Sequence, residues 1–156
     1  MTLFLTNWSS GRLHGPGMKL TIMAKPRAWE KGVGRVSALL PSVFDLEDVK
    51  AGRMTIEHYR RRYVAKVELE TNPLQNHLAP GHLLWWGGSP ETSSLVRDGD
   101  TLCCACSVDA AARGECHRVW AARFLFEAGW DVVLDGDPYR APLGGLFARP
   151  WMRIGA

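Results

Sequence analysis

The chain has 156 residues and a formal net charge of +3, with 46% hydrophobic and 22% charged residues. These values are typical of one folded domain and exclude wholesale disorder. No apolar run approaches the roughly 18 residues that a bilayer-spanning helix needs, and the first six residues lack the basic region of a secretory signal. We therefore expect one domain over residues 1–156, located in the cytoplasm and without a membrane partner.

The N-terminal half predicts two strands followed by two helices. Thr2–Asn7 is a short β-favouring apolar run, and Lys19–Ala24 alternates polar and apolar residues up to Lys25-Pro26. Asp45–Lys50 predicts a short helical turn that Gly52 closes. Residues 55–70 predict the longest helix, and its expected buried stripe consists of Ile56, Tyr59, Tyr63 and Val67.

The C-terminal half predicts a strand, a helix and a further strand. Thr101–Ala105 is a compact strand, Glu115–Ala128 is an apolar helix that stops at Gly129, and Trp130–Leu134 is the next strand. From Asp135 the tail is rich in Pro and Gly and predicts irregular packing. A parallel strand pair joined by a helix indicates the α/β class, with a mostly parallel sheet flanked by helices.

Residues 71–99 connect the two halves and are rich in Pro, Gly, Asn and Ser. This composition predicts a long loop, inside which Leu83–Trp86 forms a short buried segment.

All four cysteines fall within residues 103–116, at the edge of the sheet where ligands bind in α/β folds. A separation of two places Cys104 and Cys106 on one face of the strand, and Cys103 on the other. Cys116 and His117 open the predicted helix, where backbone N–H groups and the helix dipole favour a thiolate or an anion.

Three interpretations of this cluster stay open. A structural zinc ion could be held by Cys104, Cys106, Cys116 and His117, although Cys-x-Cys is not the common spacing. Alternatively, Cys116 or Cys104 is a thiolate that serves as nucleophile or redox group beside the fixed cation of Arg118. In the third interpretation the cysteines are small buried apolar side chains without chemistry.

Other motifs are less informative. No Gly-rich phosphate-binding motif follows a strand, which argues against dedicated nucleotide hydrolysis and conventional NAD binding. His14, His58, His77 and His82 show no metal-ligand spacing, and the paired carboxylates Asp135 and Asp137 are explained as turn residues.

Two segments resemble the domain-of-unknown-function 488 family. One is the apolar strand into Cys104-x-Cys106 followed by Cys116-His117-Arg118, and the other is Val49–Tyr63, a Gly turn before a Tyr-containing helix. The order of Thr6-Asn7, Lys25-Pro26 and Trp29 is also similar, so the resemblance covers most of residues 2–134. It implies a small Rossmann-like α/β domain, and the Cys104-x-Cys106 element resembles phage-encoded variants. Cys106 stands where the family often has Glu, and the spacer Ser107–Glu115 is longer than usual, which favours metal ligation.

The leading hypothesis is an enzyme with a cleft at the strand ends. Arg118 would hold an anionic, nucleotide-like or nucleic-acid-derived substrate, with Asn7, Lys25 and Trp29 as further binding residues. His117 would handle a proton, and Cys116 would be nucleophile or metal ligand.

Two alternatives belong to other classes of protein. In the first, the chain is a non-enzymatic, phage-type interaction module that contacts a host protein through the Trp85-Trp86 loop, with the cysteines as a structural cluster. In the second, nucleic acid binds directly to Arg60, Arg61, Arg62 and Lys66, which requires a steep salt dependence. A solvated helix face is the simpler explanation of these cations.

Overall fold

A computed structural model describes residues 1–25, 32–71, 76–87 and 90–140 of the chain. The predicted contributions of Trp29 and of the tail beyond residue 140 lie outside these ranges. None of the helices within the described ranges combines the length and the apolar character that crossing a bilayer requires.

The centre of the fold is a five-stranded, mostly parallel sheet. Its strands are β1 (Thr2–Asn7), β2 (Lys19–Thr21), β5 (Thr101–Cys104), β6 (Asp131–Leu134) and β7 (Asp137–Pro138), in the order β2-β5-β1-β6-β7. Only the β6–β7 pair is antiparallel. A separate antiparallel pair joins β3 (Leu84–Trp85) to β4 (Ser94–Leu95). The predicted α/β class with a mostly parallel sheet and flanking helices is confirmed, and it is consistent with a small Rossmann-like domain.

The described part of the fold contains four α-helices: α1 (Val43–Lys50), α2 (Ile56–Glu70), α3 (Val108–Ala112) and α4 (His117–Glu127). Helix α4 packs against β1 and β6, α2 packs on α4, and α1 packs on α2. The predicted start of α2 is confirmed, because the Thr55 hydroxyl accepts a hydrogen bond from the backbone N–H of His58 at 3.1 Å. Tyr59, Tyr63 and Val67 are buried as the helical spacing predicts.

The pairing of the strands differs from the simplest βαβ expectation in one respect. Strands β5 and β6 are parallel and are connected through α3 and α4, but β1 lies between them and pairs with both. The carboxyl ends of these parallel strands therefore meet at one edge, on both sides of Asn7. This edge carries the candidate site, because β5 ends at Cys104.

Helix α3 and strand β7 are among the short elements that the sequence does not predict. Helix α3 begins after Ser107, whose hydroxyl accepts a hydrogen bond from the Ala110 N–H at 3.0 Å. Strand β7 follows a turn in which Asp135 and Gly136 have φ angles of +49° and +88°. Two successive residues with positive φ are typical of a tight hairpin turn, so the first residues of the predicted irregular tail pair with β6.

Candidate functional site

The site is built from the end of β5 and the beginning of α4. Cys104 is the last residue of β5 and is directly opposite Asn7 of β1 in the parallel register. Cys116 is the N-cap of α4 and His117 is its first helical residue, as the sequence predicts. Helix α3 fills the connection, so Cys106 lies in the short segment between β5 and α3.

Three of the four cysteines converge into one group, which we call the sulfur cluster. The Sγ atoms of Cys104, Cys106 and Cys116 all lie within 4.8 Å of one another, and those of Cys104 and Cys116 are 3.3 Å apart. The four cysteines are all in the reduced thiol form, and Cys103 is buried outside the cluster as the strand alternation predicts. Within the cluster Cys104 and Cys116 are buried, whereas Cys106 is partly exposed.

The three thiols do not ionise alike. Hydrogen bonds from the Cys104 and Cys116 thiols lower the pKa of the Cys106 thiol below its usual value. The interaction with Cys106 raises the pKa of the Cys104 thiol, and those with Cys104 and Cys106 raise the pKa of the Cys116 thiol, because a thiol that donates its proton to a neighbouring sulfur holds that proton more tightly. Of the three thiols, Cys106 is therefore the one whose ionisation is favoured, and it is also the one nearest to solvent.

Arg118 organises the cluster from within the protein. Its side chain is completely buried. Its Nη1 donates to Cys104 Sγ at 3.0 Å and to the Cys106 carbonyl oxygen at 2.8 Å, and its Nη2 donates to the Ser107 carbonyl oxygen at 3.1 Å. Both Nε and Nη2 donate to Asp135 Oδ2, at 3.2 and 3.0 Å. A guanidinium has five N–H donors, so these contacts use all of them. Arg118 thus fixes the loop after β5 and is already saturated by protein acceptors.

Asp135 is the residue of the site that the sequence interpretation missed. Its sequence context predicts a turn residue, and its positive φ does place it in the turn after β6. Its carboxylate also pairs with Arg118 and accepts a hydrogen bond from the Thr6 hydroxyl at 2.9 Å. The signal that could have found it is the requirement that a buried arginine has a carboxylate partner.

His117 lies next to the sulfur cluster in sequence but is not part of it. Its Nε2 donates to the Ile22 carbonyl oxygen at 2.7 Å, and its ring lies 5.7 Å from that of Tyr63. Burial lowers the pKa of His117 below its usual value, which favours the neutral imidazole. Within the described residues the ligand group contains the three sulfurs and no histidine.

An aromatic wall lies beside the cluster. Tyr59 and Tyr63 of α2 contact Trp120 of α4, with ring centroids 5.3 and 5.7 Å apart. The Tyr63 hydroxyl donates to the Leu39 carbonyl oxygen at 2.8 Å. Burial raises the pKa of Tyr59 above its usual value. Tyr59, Tyr63 and Trp120 are buried in the same hydrophobic core as Cys104 and Cys116, and the partly buried Cys106 packs against that core.

Asn7 and Lys25, which the sequence predicts to bind ligand, are not members of the sulfur cluster. Asn7 is buried, and its Oδ1 accepts hydrogen bonds from the Ser10 N–H at 2.8 Å and the Ser9 hydroxyl at 3.2 Å, which shape the turn after β1. Lys25 is exposed and comes four residues after Thr21, the last residue of β2. Trp29 lies outside the described residues.

The cations of α2 are paired within the helix layer. Arg60 and Arg61 both contact Glu57, and Arg62 pairs with Asp45 of α1 at 2.9 Å. Lys66 pairs with Glu70 at 2.9 Å. Each predicted nucleic-acid contact therefore has a carboxylate neighbour, which reduces the positive potential of this face.

The fold and the site together define a small α/β protein with three thiols and one buried ion pair at the carboxyl edge of its parallel sheet. Comparisons of the chain with protein families, with curated proteins and with solved structures find no match. The resemblance to the domain-of-unknown-function 488 family therefore stays a prediction, and the function follows from the site alone.

Proposed function

We propose that the protein is a small enzyme in which Cys106 attacks an electrophilic atom of an anionic small-molecule substrate. The observation that carries this proposal is the difference in access within the sulfur cluster. Cys106 is partly exposed, whereas Cys104 and Cys116 are 0% and 1% exposed. A nucleophile must reach its substrate, so Cys106 replaces the predicted Cys116 in this role.

Each neighbour of Cys106 has a separate part in this proposal. The neighbouring thiols of Cys104 and Cys116, whose sulfurs lie within 4.8 Å of Cys106 Sγ, lower the pKa of the Cys106 thiol and so favour its thiolate. The Cys106 thiol loses its proton to solvent before the attack. Its sulfur lone pair then forms a bond to the electrophilic atom, and the leaving group departs with the electron pair of the broken bond. Arg118 is a positioning residue, because its donors hold the Cys106 carbonyl oxygen and the Ser107 carbonyl oxygen.

Lys25 is the cation that would attract an anionic substrate in this proposal. Strands β2 and β5 are parallel neighbours, so the chain leaves both of them at the same edge of the sheet. Lys25 comes after the end of β2, and Cys106 comes after the end of β5. Lys19 begins β2 at the opposite edge and is also exposed, which makes it a matched control.

The experiment compares two alkylating probes that differ in charge. Iodoacetate is an anion and iodoacetamide is neutral, and each forms an S–CH2 bond and releases iodide. We expect fast alkylation by both in the wild type, and loss of the fast phase in Cys106→Ser but not in Cys103→Ala. Lys25→Gln should lower the rate ratio of iodoacetate to iodoacetamide by about two- to threefold, which is the effect of one solvent-screened charge.

Two results would contradict the proposal. Alkylation that stays fast in Cys106→Ser would remove Cys106 as the nucleophile. Equal rate ratios in wild type, Lys25→Gln and Lys19→Gln would remove Lys25 as the recognition cation.

The interaction module is a second candidate, supported by an exposed apolar surface on β3 and β4. Leu84 and Leu95 are directly opposite each other in the antiparallel pair and are 43% and 39% exposed. Trp86 is 38% exposed and two positions beyond Leu84, on the same face by strand alternation. A stoichiometric protein partner that is lost in Trp86→Ser and retained in Cys106→Ser would support this function. Equal recovery by both variants would contradict it.

A further inference from the structure

The sulfur cluster has the dimensions of a metal site. Three cysteine sulfurs that bind one tetrahedral zinc ion at about 2.3 Å lie about 3.8 Å from one another. The Sγ atoms of Cys104 and Cys116 are 3.3 Å apart, and all three sulfurs lie within 4.8 Å of one another. Small side-chain rotations are therefore sufficient to bring the three sulfurs to coordination distance without moving β5 or α4.

The charge around the cluster also suits a metal–thiolate group. Three thiolates and one divalent ion carry a net charge of −1, which is costly to bury without compensation. Arg118 provides a buried guanidinium whose Nη1 lies 3.0 Å from Cys104 Sγ and 3.6 Å from Cys116 Sγ. A donor in this position stabilises ligand thiolates from outside the coordination sphere.

We propose that Cys104, Cys106 and Cys116 bind one thiophilic divalent metal ion, with Zn²⁺ as the physiological class, and that this ion switches off the Cys106 nucleophile. Binding uses the lone pair of Cys106 Sγ that would otherwise attack the substrate, and it releases the protons held by the thiols to the buffer. The switching part of this inference rests on the proposed function, whereas the binding part rests on the cluster geometry.

The site leaves one coordination position for a ligand from outside the cluster. Within the described residues no fourth protein ligand joins the three sulfurs, because the Nε2 of His117 donates to the Ile22 carbonyl oxygen. The partly exposed side of Cys106 is the direction from which water or a small molecule can complete a tetrahedral set. We therefore expect that chelators can reach the bound ion, unlike the ion of a structural site that is closed by four protein ligands.

The first measurement is a titration of the reduced full-length protein with Cd²⁺, a zinc substitute whose bonds to thiolates absorb in the near ultraviolet. We expect saturation at one ion per chain, with an absorbance that corresponds to three thiolates. Cys103→Ala should keep the full signal, because Cys103 lies outside the cluster. Cys106→Ser should lose about a third of the signal and bind more weakly. Cys106 is partly exposed and lies between elements, so this variant is expected to keep the fold.

The second measurement links metal binding to reactivity. With Zn²⁺ at about 100 times its Kd, the rate of Cys106 alkylation by iodoacetamide should fall roughly hundredfold, and a chelator should restore it. Zinc binding without a change in this rate overturns the switch. Absence of the cadmium–thiolate band, or equal bands in wild type and Cys106→Ser, overturns the metal site.

The two proposals fail in different ways. If no metal binds but Cys106 is alkylated rapidly, the metal site is wrong and the proposed nucleophile stands. If metal binds but Cys106 stays inert after chelation, the proposed function is wrong, and with it the switch.

Discussion

Removing the charge of Asp135 should destabilise the protein strongly, because it leaves the buried Arg118 without its counter-ion. The Arg118 and Asp135 side chains are 0% and 12% exposed, and two hydrogen bonds of 3.0 and 3.2 Å join them. Breaking a buried ion pair from one side typically costs about 3–5 kcal/mol, since water cannot replace the lost partner. Asn tolerates the left-handed conformation of residue 135, so Asp135→Asn keeps the turn and isolates the charge.

The assay is urea unfolding followed by tryptophan fluorescence, with Asp137→Asn as the matched control. Asp137 is an exposed carboxylate in the same hairpin, and its substitution should change the free energy of unfolding by less than about 0.5 kcal/mol. We expect Asp135→Asn to lower it by about 3 kcal/mol. Arg118→Met combined with Asp135→Asn should be less destabilised than the sum of the single variants, with a coupling of about 1–3 kcal/mol. Equal free energies of unfolding for Asp135→Asn and Asp137→Asn would show that the Arg118–Asp135 ion pair does not stabilise the fold. Strictly additive changes in the double variant would have the same meaning.

The remaining predictions concern the surroundings of the site. His117→Gln should reduce the loss of stability at acid pH, measured by urea unfolding in the presence of a chelator. The pKa of His117 is lowered in the folded state, so the unfolded chain takes up a proton first. The folded protein therefore loses stability as the pH falls below about 6.5, by at most about 1.4 kcal/mol per pH unit, and an unchanged pH profile in His117→Gln would contradict this. Gly34→Ala should destabilise the packing beside β2, because its new Cβ would lie 2.6 Å from Trp85 Cε3 and 2.8 Å from Leu20 Cδ2. A loss of about 1–3 kcal/mol is expected in thermal or urea unfolding, compared with little change in Gly11→Ala, where a Cβ meets open space. Duplex DNA should bind weakly and only at low salt, since the α2 cations are paired; tight binding at physiological salt in a filter or anisotropy assay would contradict this.

Much of the fold follows from local sequence patterns. The strand Thr2–Asn7 is found with the same bounds, and the predicted helix start at Thr55 coincides with its observed cap. The second strand, β2, is shorter than the alternating segment Lys19–Ala24 that predicts it. Its pairing with β5 ends where Thr21 is opposite Cys103, near the end of β5. The alternation of polar and apolar residues indicates which face of a strand is buried, whereas the length of the strand depends on the neighbouring strand with which it pairs. The position of β1 between β5 and β6 is likewise a property of tertiary pairing.

The sequence predicts which cysteines form the candidate site, but it does not predict the hydrogen-bond partners of the neighbouring His117 and Arg118. The spacing of two correctly grouped Cys104 with Cys106, and it separated Cys103 from them. It did not indicate that His117 would turn to the Ile22 carbonyl oxygen, a contact between residues 95 positions apart. Nor did it indicate that Asp135 would neutralise Arg118, because only the hairpin after β6 brings that carboxylate to the start of α4.

The most direct test of the central claim is to identify which cysteine of the native, reduced, metal-free protein reacts first with limiting iodoacetamide. Peptide mapping by mass spectrometry would locate the label after the remaining thiols are blocked under denaturing conditions with a second reagent. We expect the label on Cys106, because Cys103, Cys104 and Cys116 are protected by burial. A label on Cys103, or an equal distribution over all four cysteines, would contradict it.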